Sequence, residues 1–240
     1  MLNWNTETAA FLRDASEYGD YYERLAAWIM PHLNGDEHLC DAGCGQGYLT
    51  LVLANAVSRI TAVDRSEIAL KTLRETAKDR ENIRIQCGNI KSFTPAEKYD
   101  GMVFCFFGKM EEIAQIAGEQ CRGKLFLFKR NYAHQRFAAG DYPTGDDSFA
   151  KAVEWLKERR TPFASDTLSL EMGQPFRSRE DARRFFSLYH PGDSGDITDA
   201  FLSSRLRETG REDFPLYLPQ KREVGCLRLQ AADLHLERTK

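Results

Sequence analysis

The sequence lacks the features that would tie it to a membrane, an oxidising compartment or a nucleic acid. No apolar run reaches the length of a bilayer span, and the opening MLNWNTETAAFLRD has no basic stretch followed by an apolar one, as a secretory signal would. The six cysteines include no C-x-x-C pair, which argues against a zinc site. Cys40, Cys87, Cys105 and Cys226 fall in apolar, strand-like runs, where free cysteine packs as a small hydrophobe rather than building a disulfide framework. Cys40 and Cys44 lie four apart, but the glycine turn between them makes them poor joint ligands. An excess of basic charge is also missing. Lys and Arg number 33 against 36 Asp and Glu, for a net charge of −3, whereas neutralising phosphates needs a basic surface. Arginines cluster only at Arg177, Arg179, Arg183 and Arg184, in a stretch that reads as a solvated helix face. The expectation is a soluble, cytoplasmic protein with no membrane partner and no metal, in which nucleic-acid binding is not favoured.

The chain does have enough apolar residues for a core: 42% of 240, which suits one domain with an insertion. Residues 6–33 carry apolar and aromatic residues near helical spacing, with Thr6 or Thr8 as candidate cap and Gly19-Asp20 as a candidate division into two helices. From His38 the pattern becomes an alternation of strands and helices. Strands are expected at 38–42, 59–63, 83–87, 99–107 and 124–128, with helices between them, one of them capped by Ser66. Connections of that length are crossovers, so the strands form a parallel sheet with helices on both faces. After Arg130 the alternation stops. Helices are expected at 148–160, 179–189 and 197–208, a strand at 167–172, and a final hairpin-like pair of strands at 214–218 and 224–229.

The chemistry concentrates at Asp41-Ala42-Gly43-Cys44-Gly45-Gln46-Gly47, between the first strand and its helix. Glycines allow a tight turn and close approach of a ligand, and the helix that follows offers unpaired N–H groups. Ligands of open parallel sheets bind at the carboxyl ends of the strands, where this turn lies. Three further features follow at successive strand ends: Asp64, a carboxylate able to accept both hydroxyls of a ribose; Asn89-Ile90, an amide and an apolar edge for a purine; and Phe106-Phe107-Gly108, an aromatic wall. Each has an ordinary structural role open to it, Asp64 as a helix cap, Asn89 as a turn former and the two Phe as core.

Asp41 discriminates among nucleotide ligands. A pyrophosphate beside it would meet like charge, unfavourable by roughly 1–4 kcal/mol at about 4 Å, whereas the ammonium of an amino-acid tail would be attracted. The glycines read G-x-G-x-G rather than the dinucleotide G-x-G-x-x-G, and no Lys-Ser/Thr follows them as in an ATP P-loop.

The stretch HLCDAGCGQGYL at 38–49 resembles motif I of the class I S-adenosylmethionine-dependent methyltransferases, and AVDRS at 62–66, CGNI at 87–90 and YDGMVFCFFG at 99–108 are similar to that family's next motifs, in order. The resemblance covers about residues 36–130. It implies S-adenosylmethionine as cofactor, a Rossmann-like α/β fold, and a seven-stranded sheet with the last strand antiparallel, an ending with which the pair at 214–229 is consistent. The cofactor-binding set it suggests is Asp41, Ala42, Gly43, Cys44, Gly45, Asp64, Arg65, Asn89, Ile90 and Phe106. The expected organisation is a single domain: an N-terminal helical lid (1–35), a cofactor-binding core (36–130), an acceptor cap inserted after strand five (131–213) and C-terminal strands (214–240).

Methyl transfer from a sulfonium is an in-line displacement that demands alignment and exclusion of water, with a base needed only for a protonated acceptor. No catalytic residue is therefore nominated. The Asn/Asp-Pro-Pro-Tyr/Phe signature of enzymes acting on planar amino groups is absent from the end of strand four, and an aromatic wall there suits a hydrophobic or cationic acceptor. Candidate polar groups in the cap are Tyr132, His134, Asp141, Tyr142 and His190, with Tyr18, Tyr21 and Tyr22 as candidates to close over the cofactor. The leading expectation is an enzyme that methylates a small molecule. Methylation of RNA or protein, and a non-catalytic S-adenosylmethionine-binding protein, are the alternatives.

Overall fold

A short apolar strand followed by glycines cannot stop anywhere but at the edge of a turn, and His38–Ala42 (β1) does so, with all but its first residue buried. In the computed structural model, which describes residues 4–134, 137, 148–190, 192 and 194–234, β1 is the centre of a parallel sheet. It pairs with Arg59–Asp64 (β2) on one side and Tyr99–Cys105 (β4) on the other. Beyond β2 lies Ile83–Cys87 (β3), and beyond β4 lies Cys121–Arg130 (β5). Two strands from the second half complete the sheet: Lys221–Gln230 (β10), antiparallel to β5, and Ala164–Glu171 (β6), antiparallel to β10. The order β3-β2-β1-β4-β5-β10-β6 makes a seven-stranded mixed sheet of the Rossmann-like α/β class.

The crossover helices are set by local chemistry. Tyr48–Leu53 (α3) starts directly from Gly47, whose φ of 77° is left-handed. Glu67–Thr76 (α4) is capped by the Ser66 hydroxyl, which accepts from the Ala69 N–H at 3.3 Å. Met110–Gln120 (α5) precedes β5. Two apolar layers result. Tyr21–Ile29 (α2) and α3 bury Leu25, Ile29, Leu49 and Leu53 against Phe126 and Phe128. On the other face α5 and Phe149–Glu158 (α6) bury Ile113, Ile116, Trp155 and Leu156 against Phe104, Leu125 and Leu127.

Thr6–Tyr18 (α1) is separated from α2 at Gly19-Asp20, as expected, but its cap is neither Thr6 nor Thr8. Asn5 accepts from the Thr8 N–H at 2.8 Å while the Thr8 hydroxyl accepts from the Asn5 N–H at 3.0 Å, a reciprocal capping box.

The second half departs further from expectation. The segment 131–213 is not all cap, because β6 within it forms the edge of the main sheet. Nor are the last two strands a hairpin in one sheet. Leu216–Leu218 (β9) pairs with Gln174–Phe176 (β7) and Arg207–Glu208 (β8) in a separate three-stranded sheet, and only β10 enters the main one. The chain changes sheets across Pro219-Gln220 because Phe176 and Leu218 are drawn into an aromatic cluster with Phe11, Phe185 and Phe186. That cluster joins α1 to Arg179–Tyr189 (α7) and Asp199–Arg205 (α8). The arginines there are mostly paired: Arg177 with Asp14, Arg183 with Asp199, and Arg184 with Asp181. The described cysteines are all free, but Cys87 is exposed rather than packed, since it ends β3 at the edge of the sheet. None of the described helices is long and apolar enough to cross a membrane.

Candidate functional site

At the carboxyl ends of β1, β2, β3 and β4 the chain turns away from the sheet, and the turns enclose a cavity of about 680 Å³. Its floor is the glycine turn. Gly43, Gly45 and Gly47 all hold positive φ (74°, 56° and 77°), which L side chains rarely adopt. A Cβ on Gly43 would lie 2.5 Å from the Phe107 ring, and one on Gly47 would lie 2.4 Å from Leu73, so these two glycines admit neighbouring side chains of the fold. A Cβ on Gly45 would meet only Trp4, at 3.2 Å.

Asp41 borders this floor and is 1% exposed. One carboxylate oxygen accepts a 2.6 Å hydrogen bond from the Thr50 hydroxyl on α3, and the other is buried and has no partner among the described residues. Burial pushes its pKa up to about 6; the Thr50 hydrogen bond opposes the rise and the charge of Asp64 adds to it. The protein thus holds a buried carboxylate oxygen without a donor on the wall of a cavity, an arrangement that costs stability unless something cationic or N–H-bearing arrives.

Asp64 closes the turn from β2. It accepts from the Gly45 N–H and the Ser66 N–H, each at 2.9 Å. A carboxylate offers about four acceptor positions, so two remain. Asn89 accepts from the Lys91 N–H at 3.1 Å through its side-chain oxygen, which leaves its amide N–H groups for the cavity. Ile90 beside it is buried. Phe106 is held at φ 54°, a left-handed conformation rare for an aromatic residue, with its N–H donating to the Phe128 carbonyl at 3.0 Å. Burial raises the Cys44 and Cys105 thiols well above the ordinary range, with the Asp41 charge adding to it, so both stay protonated at neutral pH and neither acts as a thiolate.

Nine of the ten residues singled out from the sequence therefore border one cavity: Asp41, Gly43, Cys44, Gly45, Asp64, Arg65, Asn89, Ile90 and Phe106. Ala42 does not. Strand alternation turns its side chain into the core beneath, with Ile90 and Phe104. Of the three N-terminal tyrosines only Tyr22 reaches the cavity, stacked on Tyr48 at 5.6 Å. Tyr21 is buried in the core and Tyr18 stacks on Tyr217. Tyr132 borders the cavity, whereas His134 is exposed away from it. His190 is buried against Asp196 at 3.0 Å, outside the cavity. Asp141 and Tyr142 lie outside the described residues. Among the described residues no cluster of His, Cys, Asp and Glu could hold a metal ion.

Sequence reasoning missed the far end of the cavity. Arg130 at the end of β5, Met172 and Gly173 between β6 and β7, Phe185 and Tyr189 on α7, and Arg222 at the start of β10 all border it. These residues come from four separated stretches that share no motif, so only the fold brings them together.

Comparisons with known proteins find the same fold. Residues 39–122 match the model of a family described as a methyltransferase domain. The YcgJ protein of Bacillus subtilis shares the fold at 12% identity, over 85% of this chain and 98% of its own, with a TM-score of 0.54. Precorrin 8w decarboxylase of Methanobacterium thermoautotrophicum does so at 15% identity, over 86% and 89%, with a TM-score of 0.53. Coclaurine N-methyltransferase bound to N-methylheliamine and SAH does so at 16% identity, over 86% and 71%, with a TM-score of 0.50. No curated protein matches the chain.

Proposed function

We propose that this chain, which carries a methyltransferase domain of the class I fold, uses S-adenosylmethionine to methylate a small organic molecule. The observation that carries the reading is the unbonded, fully buried oxygen of Asp41 beside a turn of three left-handed glycines. It fits the ammonium of an amino-acid tail and repels a pyrophosphate.

S-adenosylmethionine, when bound, supplies a methyl group on a sulfonium centre. The remaining work falls to the protein. Asp41 and the Gly43–Gly45 backbone would hold the amino-acid end, and Asp64 would accept the ribose hydroxyls with the positions that the Gly45 and Ser66 N–H groups leave open. Arg65 would border the ribose from the exposed side. Asn89 would present its amide to the purine edge, and Ile90 its apolar face. Phe106, fixed at the end of β4, would wall the reacting centre and keep water from it. Tyr22 and Trp4 would close the cavity from the N-terminal side, where both border it. No side chain is assigned as a general base, since a neutral amine or a carboxylate needs none. Segment 131–213 would contribute the acceptor cap through the corner between β6 and β7 and through α7, and residues 1–35 the lid.

The test is turnover. The protein is incubated with S-adenosylmethionine and a panel of small acids, amines and phenols, with tRNA and peptides alongside, and S-adenosylhomocysteine release is measured. Release with a small molecule supports the reading. Release only with tRNA or peptide would replace the acceptor class, and no release with any would favour a non-catalytic binding protein.

A further inference from the structure

Arg222 enters the cavity wall from the second residue of β10, and no acid among the described residues pairs with it. No ion pair or hydrogen bond engages its guanidinium among the described residues, and its Nε is buried without a partner. The guanidinium carbon lies 5.3 Å above the Tyr21 ring, which supports the head from behind. Its charge also reaches the Tyr22 and Tyr189 hydroxyls, whose pKa values burial raises and Arg222 pulls back down. Arg228 also leaves its Nε unbonded, but it does not border this cavity, so position rather than the orphaned nitrogen alone distinguishes Arg222.

Charges of both signs line the cavity. Its carboxylates are Asp41 at the glycine turn, Asp64 after β2, beside Arg65, and Glu112, which pairs with Lys91 at 3.3 Å. On the wall that the end of β5 and the start of β10 supply, the charged groups among the described residues are the guanidiniums of Arg130 and Arg222. Aromatic residues line the same cavity: Phe106, Phe185 and Tyr189. A planar arginine with free donors in an aromatic-lined cavity matches a planar anion.

We infer that the methyl acceptor is a small, largely planar molecule carrying a carboxylate or phosphate, and that Arg222 is the residue that binds that anion. This rests on the proposal that the cavity holds S-adenosylmethionine. It revises the expectation of a hydrophobic or cationic acceptor, which came from the aromatic residues alone. The competing source of the same chemistry is the carboxylate of the cofactor's own amino-acid tail, and the experiment separates the two.

The full chain is saturated with S-adenosylhomocysteine and titrated calorimetrically with benzoate, phenyl phosphate, benzamide and benzylamine. The expected result is binding of benzoate or phenyl phosphate at least tenfold tighter than of benzamide or benzylamine, in the native protein. Arg222→Met is expected to lose that anion affinity at least tenfold while its affinity for S-adenosylhomocysteine stays within twofold, which also shows that the variant folds. Equal binding of the neutral or cationic compounds would overturn the inference, as would an Arg222→Met protein that still prefers the anions. A tenfold loss of S-adenosylhomocysteine affinity in a folded variant would assign Arg222 to the cofactor's carboxylate and overturn it too. Failure of the native chain to bind S-adenosylhomocysteine at all would strike the underlying proposal instead.

Discussion

Asp41 keeps a carboxylate in the interior with one oxygen bonded and one bare, and the protein without ligand bears the cost. A rise from 3.8 to about 6 corresponds to roughly 3 kcal/mol at about 1.4 kcal/mol per pH unit. The folded-state value lies above the unfolded one, so this residue's contribution to stability is fully present below about pH 4, is lost as pH rises through 6, and stays lost above. Asp41→Asn removes the buried charge. It is expected to raise the unliganded protein's urea midpoint at pH 8 relative to pH 5, and to cut affinity for S-adenosylhomocysteine at least tenfold. Urea titrations at the two pH values and a binding curve check both. Asp64 behaves differently because it already serves the fold: two backbone N–H groups, of Gly45 and Ser66, depend on it. Asp64→Ala is expected to cost about 1–3 kcal/mol of stability and to weaken cofactor binding as well. Lost stability with unchanged affinity would mean the ribose assignment is wrong.

At the scale of the element, the three glycines of one turn are not equivalent. Gly47→Ala puts a methyl group into Leu73 from a left-handed backbone, and about 2–4 kcal/mol is expected from strain and overpacking together. Gly45→Ala meets only Trp4 and is expected to cost about 1 kcal/mol. Urea midpoints of the two variants, measured side by side, should differ in that order, and equal losses would contradict the packing described. Residues 38–130 were legible in the sequence because strands buried on both faces read as apolar runs and because Ser66 and the glycines punctuate locally. Beyond them the signals weaken. β6 is an edge strand, exposed over most of its length, so its polar sequence gives no hint that it joins the main sheet. The sheet change between β9 and β10 is decided by distant partners, Phe11 and Phe185 for one and β5 for the other, which no local pattern encodes. The same holds for the cavity: Asp41, Asp64 and Asn89 announce themselves at strand ends, whereas Arg222 and Tyr189 are ordinary residues until the fold places them on one wall.

On the scale of the whole molecule, α1 is clasped between the glycine turn and β7. The Gln46 amide of the glycine turn donates to the Ala9 carbonyl at 2.9 Å, and Gln174 of β7 donates to the Phe11 carbonyl at 3.0 Å. Asp14, 6% exposed, pairs with Arg177. The glycine turn, α1 and β7 are thereby mechanically joined. Arg177→Ala leaves the buried Asp14 with only the longer pairing to Arg13, at 3.9 Å, among the described residues. Because Arg177 is itself half exposed, the expected cost is only about 1–2 kcal/mol. Faster hydrogen exchange across residues 6–18 and a faster S-adenosylhomocysteine off-rate are expected; exchange unchanged from the native protein would show that the clasp does not depend on this pair. The central claim, a buried carboxylate waiting for an ammonium, is tested most directly by calorimetric titration of the native chain with S-adenosylhomocysteine at pH 8, 6 and 5, in buffers of different ionisation enthalpy. Binding that releases about half a proton at pH 6 and is about tenfold weaker at pH 5 than at pH 8 is the predicted result, because the ligand favours ionised Asp41. Binding of NAD in its place, or S-adenosylhomocysteine binding with no proton release and no change across that range, would contradict the claim.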